Sequence, residues 1–373
     1  MGMLTEIIRA EITARGVIPF AEFMELALYC PEYGYYEKKS GTVGRGGDFY
    51  TSVSVGPLFG TLLAWQFARW LERLPGGPVY LVEAGAHDGK LAGDILDWLA
   101  AQRPELLAHL RFVIVEPSSA RRNWQMASLR RHGDRLAWVA DLSELPADGA
   151  GVIFSNELLD AFPVRRIGWC KPTQQWFEWG VVWEAGAFRW AKLSGTPELP
   201  EWFQVPPALQ MVLPANYTVE LNGAAELWWS RAARSLRRGW LLTIDYGLDE
   251  EDFWSPHRPQ GTLRAYQGHR EHAEVLSHPG EQDLTAHVNF SCLQRAGVAA
   301  GLRTEFYGFQ EQFLLNILRE SAGGRFPASG WDARQKREWQ TLIHPEHLGR
   351  RFRVLLQSRG MTGAEVEGRH LSK

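Results

Sequence analysis

Apolar side chains recur at helical spacing near the start of the chain. Leu4, Ile7, Ile8 and Ile12 fall on one face, which predicts a helix over residues 4–14. A second is expected over 20–29, stopped by Pro31, and a third over 58–74. Between them, KKSGTVGRGGDFYTS (38–52) is glycine-rich, polar and too irregular for a strand, and reads as a loop.

The rhythm then changes to short apolar runs separated by helical stretches. VYLVEAGA (79–86) precedes a helix over 91–101, and RFVIVEP (111–117) precedes another. LAWVAD (136–141), GVIFSNELLD (151–160) and WLLTIDYG (240–247) follow. Alternating strands and helices predict a parallel sheet covered on both faces, and RFRVLLQSRG near the end of the chain reads as a closing edge strand. Two segments break the alternation. Residues 164–193 carry aromatic and β-branched runs with turn residues between them, the pattern of an antiparallel meander. Residues 249–283 are rich in Pro, Gly and His and read as a loop-heavy insertion. The expected organisation is a helical segment with a covering loop over 1–60. A Rossmann-like α/β domain follows over 61–373, with insertions at 164–215 and 249–285.

Composition narrows the function classes. Net charge is −3, so no basic excess exists to neutralise phosphates, and nucleic acid is not expected as a partner. Cys30, Cys170 and Cys292 are odd in number and far apart, which predicts free thiols in a reducing compartment rather than a disulfide framework. Glu6 and Glu11 interrupt any leader-like apolar run, and no run is long enough to span a bilayer. A cytoplasmic protein without membrane insertion is expected.

Candidate chemistry gathers at the ends of the apolar runs. In VEAGAHDGKL, a strand leads through a glycine turn into a helix. Gly85 permits the turn and Gly89 lets the helix start pack closely, so backbone N–H groups can hold a polar ligand there. The full G-x-G-x-x-G pattern is absent, which disfavours a nicotinamide-dependent oxidoreductase. Glu116 ends the second run, where a carboxylate accepts hydrogen bonds from nucleoside ribose hydroxyls; the alternative is an incidental surface acid. Asp141 ends the third and could reach an adenine amino group. Ser155, Asn156, Glu157 and Asp160 cluster at the end of the fourth. Carboxylates there suit a cationic acceptor such as a guanidinium; the plainer reading is Asn156 capping a helix with Glu157 in its first turn.

GDFYTSVSVGPLFG (47–60), the glycine turn, NELLDAFPV, IDYG, GTLRAYQGH, PGEQDLTAHVNF and QEQFLLNIL occur in that order. Together they resemble the MidA-like family of S-adenosylmethionine-dependent methyltransferases, over roughly residues 16–357. That family includes a mitochondrial complex I assembly factor that acts as a protein arginine methyltransferase. The resemblance implies S-adenosylmethionine as cofactor and a protein as methyl acceptor. It matches Gly85 and Gly89 to the family's glycine turn, Glu116 to its ribose acid and Asn156 to the end of its fourth strand; Glu83, Ala86, His87 and Asp141 join them as cofactor-binding candidates by their places in the glycine turn and at the strand ends. Asp48, Thr51 and Ser52 would belong to a loop over it. Asn156, Glu157 and Asp160 would face the reacting methyl, and Asp245 matches the family's IDYG acid. The chain departs from the pattern at Ala86, where the family has proline, and at His87, where it has glycine. Restoring glycine at 87 would open the turn to the cofactor and lower apo stability by about 0.5–1 kcal/mol through unfolded-state entropy. A cofactor-binding assembly protein with little catalysis is the alternative function.

Other features read more plainly. His269, His272, His278 and His287 do not make a convincing metal site, and no metal is expected; His287 could assist proton removal or acceptor binding. Of the seventeen tryptophans, Trp169, Trp176, Trp179, Trp183 and Trp190 fall in the meander, and sheet packing accounts for them better than a partner face. Arg121, Arg122, Arg130 and Arg131 read as a solvated helix face.

Overall fold

The structure is a computed structural model describing residues 2–38, 51–74, 77–146, 149–268, 270–272, 274–321 and 330–361. Asp48 and His269 lie outside the described residues. A central sheet contains β1 (Val79–Ala84), β2 (Leu110–Val115), β3 (Leu136–Val139), β4 (Ala150–Asn156), β5 (Arg238–Leu248), β6 (Arg303–Phe309) and β7 (Phe352–Arg359). Their spatial order is 3-2-1-4-5-7-6, and Val288–Asn289 adds a short parallel pairing to the end of β5. The first five strands run parallel, and β7 is antiparallel to both of its neighbours. This is the Rossmann-like sheet the alternation predicted. Continuous apolar runs such as YLVEA and FVIV form strands because helices cover both faces. Leu58–Leu71 and Lys90–Gln102 pack on one face, Gly223–Ser235 and Phe290–Ala299 on the other.

The C-terminal strand is not the edge. β7 lies between β5 and β6 and is buried along almost its whole length, whereas β6 is half-exposed and carries Arg303 and Glu305. Charge suits an edge strand, and the apolar density of β7 marks an interior one.

The meander forms as expected. Arg165–Cys170, Gln175–Glu184 and Ala187–Lys192 pair antiparallel in a second sheet. Two further pieces join it from elsewhere: Thr218–Leu221 on one side and Ile18–Pro19 on the other. The helices Met3–Arg15 and Phe20–Tyr29 therefore pack on this sheet, burying Ile8, Ile12, Phe20, Phe23 and Leu28 in a core of their own. Trp169 is buried and meets Trp176, while Trp179 meets Trp190 and Trp183 meets Phe188 edge-on. These contacts are those of packing aromatics. A third, three-stranded sheet in the second insertion pairs Arg264–Gln267 with Arg270–His272 and with Asp283–Thr285.

Glu220 joins the second sheet to that insertion. Its buried carboxylate accepts from Arg166 Nε at 3.1 Å, Thr262 N at 2.7 Å and Thr262 Oγ1 at 3.0 Å. Arg166 also donates to the Gln260 carbonyl at 2.7 Å and stacks over Trp190. Removing the acid leaves a buried guanidinium without its counter-charge, which typically costs about 3–5 kcal/mol. Glu220→Ala is expected to lose stability on that scale in urea denaturation; a loss below about 1 kcal/mol would show that the pair does not hold the insertion in place.

Candidate active site

One cavity opens at the carboxyl ends of β1, β4 and β5, where ligands bind in open α/β sheets. The first strand and its turn contribute Glu83, Gly85, Ala86, His87 and Asp88; the end of β4 contributes Asn156, Glu157 and Asp160. Tyr246 enters from β5, Asp283 and Thr285 from the second insertion, and Tyr36, Thr51 and Val53 from the N-terminal segment. A larger open cleft lies at the other end of the strands, near Leu74, Pro78 and Leu110, but the charged residues along it, Glu72, Arg111, Asp134 and Arg135, are exposed and none is a buried acid.

Sheet register brings the pieces level. Ala84 lies opposite Ser155, and Ile244 opposite Asn156. Gly85 has φ of +75°, and a Cβ there would stand 2.8 Å from Leu158 Cδ1. Gly89 caps the helix Lys90–Gln102 at φ +82°, against Leu129. Both glycines are thus required by backbone conformation and close approach. His87 also lies in the left-handed region, at φ +47°, a conformation that favours glycine. Its carbonyl accepts from Gln125 Nε2 at 3.0 Å.

Glu83 is 3% exposed, and its Oε2 has no hydrogen-bond partner. Burial, then Asp88 and Asp94, push its carboxyl up to about 8. Asn156 Oδ1 is also buried without a partner, while its Nδ2 donates to Glu157 Oε1 at 2.9 Å. Two orphaned acceptors at one cavity call for a ligand with hydrogen-bond donors. An amino acid ammonium supplies them, so these residues fit the methionine end of S-adenosylmethionine.

The end of β4 is an acidic turn rather than a helix start. No α-helix follows Asn156, only a short 3₁₀ turn, Leu159–Ala161, so the capping alternative does not hold. Glu157 sits at φ +53° and accepts from the Ser52 backbone N–H. Burial, with Asp245 and Asp283 adding to it, raises its carboxyl to about 8. Asp160 is pushed well above the usual range by burial and by Asp245, Asp283 and Glu157. Asp245, fully buried behind them, accepts from the N–H groups of Leu158, Leu159 and Tyr246 at 3.1, 2.8 and 2.8 Å.

Other expected residues stand elsewhere. Ser155 faces the sheet interior and donates to Thr243 Oγ1. Thr51 lines the cavity, but Ser52 Oγ donates to Gln310 Oε1 behind it. Glu116 does not line the cavity. Its buried carboxylate is taken by Arg121 Nη2 at 3.0 Å, Ser118 N at 3.0 Å and Gln125 Nε2 at 3.1 Å. Arg121 is therefore a largely buried ion-pair partner, not part of a solvated face. Asp141 lies outside the cavity: it caps the turn Leu142–Glu144 and pairs with Arg231, because β3 ends two residues before it. His287 also lies outside the lining; burial and Arg258 and Arg264 lower it to about 4. Among the described residues no cluster of three metal-ligating side chains occurs. Tyr36, Asp283, Thr285 and Tyr246 were missed as site residues, although the last three fall inside family motifs.

Residues 62–308 match a family described as "Putative S-adenosyl-L-methionine-dependent methyltransferase". The chain belongs to this family. A Burkholderia thailandensis protein solved bound to S-adenosyl-homocysteine is 34% identical, with a TM-score of 0.83 over 98% of this chain and 94% of that one. The Drosophila melanogaster mitochondrial protein arginine methyltransferase NDUFAF7 homolog is 27% identical over 395 aligned positions, 98% of this chain and 87% of the relative. The Danio rerio mitochondrial protein arginine methyltransferase NDUFAF7 is 27% identical, covering 92% and 84%. The cofactor is S-adenosylmethionine.

The raised acids give apo stability a pH slope. Glu83 and Glu157 hold protons more tightly folded, at about 8, than unfolded, at 4.5. Their contribution is present below the unfolded value and is lost as pH rises through the folded one. Urea midpoints are expected to fall between about pH 5.5 and pH 8, and Glu83→Gln should flatten that fall; an unchanged slope in the variant would place the titration elsewhere.

At position 87, the positive φ cancels the loss of apo stability expected from the sequence. A non-glycine residue there is strained by about 1 kcal/mol, which offsets the roughly 0.5–1 kcal/mol of unfolded-state entropy that glycine adds. His87→Gly is expected to leave the apo midpoint nearly unchanged while tightening S-adenosylhomocysteine in calorimetry. Weaker binding would show that the imidazole contacts the cofactor.

Proposed function

We propose that this chain methylates an arginine side chain of a protein substrate. The observation that carries the reading is the convergence of Glu157, Asp160 and Asp283, with Asp245 behind them, beside the orphaned acceptors of Glu83 and Asn156. Buried carboxylates crowded together are costly alone and favourable around a cation. A planar guanidinium, with five N–H donors, matches such a site better than a compact ammonium. Two relatives whose names state protein arginine methyltransferase support the same class.

S-adenosylmethionine, when bound, supplies a methyl group on a sulfonium that departs as a neutral thioether. The chain's own residues then have three tasks. Glu83 and Asn156 hold the methionine end, and Glu116, one step behind the wall, holds Gln125 against the glycine turn. Glu157 and Asp160 orient the guanidinium so that one nitrogen faces the methyl carbon. As that nitrogen gains the carbon it must shed a proton, and Asp160, pushed up by its neighbours, is suited to take it. The covering role of the loop that includes Asp48, and of Thr51 at its described end, belongs to this reading. So does a cytoplasmic, reducing setting for the three free thiols; the relatives' names state mitochondrial.

S-adenosylhomocysteine at about 100 times its dissociation constant should stabilise the fold by roughly 2.7 kcal/mol and raise the melting temperature by about 2–4 °C. Incubation with methyl-labelled S-adenosylmethionine and lysate should leave label in methylarginine after hydrolysis of the protein fraction. Binding with no labelled arginine in any fraction would favour the assembly-protein alternative.

A further inference from the structure

One face of β5 carries Trp240, Leu242, Ile244 and Tyr246 at alternate positions. The first three are buried in the main core. Tyr246 packs at its rim, where the apolar row meets the cavity. Two contacts fix the residue there. Its N–H donates to Asp245 Oδ1 at 2.8 Å, so the acid that holds the turn at Leu158 and Leu159 also holds this residue. Its ring centre lies 4.3 Å from that of Phe352, the residue opposite it on β7.

The hydroxyl is the part of Tyr246 without a task in the fold. A buried tyrosine usually commits its O–H to a partner. Tyr29 donates to the Ala161 carbonyl, Tyr36 to Asp283, Tyr217 to the Phe253 carbonyl and Tyr307 to Asp249. The Tyr246 hydroxyl makes no hydrogen bond with any described residue, although the residue lines the cavity beside Glu157 and Asp160. A phenylalanine would meet Phe352 and the core with the same ring. Burial, with Glu157 and Asp160 adding to it, holds the phenol well above its usual range. It therefore stays neutral and is no base; that task remains with Asp160.

A neutral oxygen suits this place. A guanidinium spreads five N–H donors around a plane. Glu157 and Asp160 stand on one turn after β4, whereas Tyr246 stands on the neighbouring strand. Its hydroxyl offers lone pairs to an N–H that the acids leave, and it adds no charge where carboxylates already repel one another.

We propose that the Tyr246 hydroxyl is a further acceptor-binding group: it takes a hydrogen bond from the substrate guanidinium and fixes the plane in which the reacting nitrogen meets the methyl carbon. The assignment rests on the arginine reading above.

The test uses the full chain saturated with S-adenosylhomocysteine, and the probe is a blocked Gly-Arg-Gly peptide titrated calorimetrically. Tyr246→Phe should weaken the peptide about tenfold or more, the scale of one hydrogen bond to a charged group. S-adenosylhomocysteine affinity should stay within about twofold. The apo melting temperature should stay within about 1 °C, because the fold loses no bond. Equal peptide binding by Tyr246→Phe and wild type overturns the proposal alone. Cofactor affinity that falls as far as peptide affinity also overturns it and puts the hydroxyl on the cofactor. A variant that melts several degrees lower, or does not fold, overturns it by showing that the hydroxyl serves the fold. A cofactor-saturated wild type that ignores the peptide overturns the arginine reading and this assignment with it.

Discussion

The Asp245 carboxylate is the constraint on which the site depends. It ends the apolar part of β5 and is fully buried, and it accepts from Leu158, Leu159 and Tyr246. The chain leaves the sheet after Asn156, so the N–H groups of Leu158 and Leu159 have no ladder to join. Buried backbone donors must be satisfied, and a carboxylate does so with strong, charge-assisted bonds. The turn it holds places Glu157 at φ +53° and delivers Asp160 to the cavity. Burial raises Asp245 itself to about 7, so even the group that orders the turn carries an electrostatic cost.

The same turn is tied from outside by three other segments. Asn222 Nδ2 donates to the Leu159 carbonyl, Ala286 N to the Asp160 carbonyl and Tyr29 Oη to the Ala161 carbonyl. Residues far apart in sequence therefore converge on three consecutive carbonyls. A strained, like-charged site persists when its surroundings over-determine it. This accounts for the second sheet and the insertion standing over the strand ends rather than elsewhere on the surface.

The fold was legible because its strands are continuous apolar runs with glycine turns, and the helix over Phe20–Tyr29 falls where its spacing placed it. β6 was missed because RTEFYGF is an edge strand with charge at one end, and β7 was misplaced because a single run does not reveal its neighbours. Within the site, Glu83, Gly85, His87, Asn156, Glu157 and Asp160 were legible since each adjoins a strand end. Asp283 and Tyr36 were not. Their approach depends on how two insertions fold over the sheet, and no local period encodes that. Arg121 misled for a related reason: a helix rich in arginine looks solvated until the partner, Glu116 on another element, is known.

The glycine turn and the acidic side of the cavity share one side-chain network. Gln125 Nε2 donates both to the His87 carbonyl in the glycine turn and to Glu116 Oε2, and its Oε1 accepts from Trp138. Glu116 in turn holds Arg121, whose guanidinium lies 5.9 Å from the Tyr36 ring centre, within cation–π range. Tyr36 donates to Asp283. The route from the glycine turn to Asp283 is thus a chain of buried or half-buried contacts, each link with one clear geometry. Such a chain keeps Glu116 and Asp283 in fixed relation without any backbone joining them. Glu116, one step behind the cavity wall, thereby anchors the arginine on which Tyr36 rests.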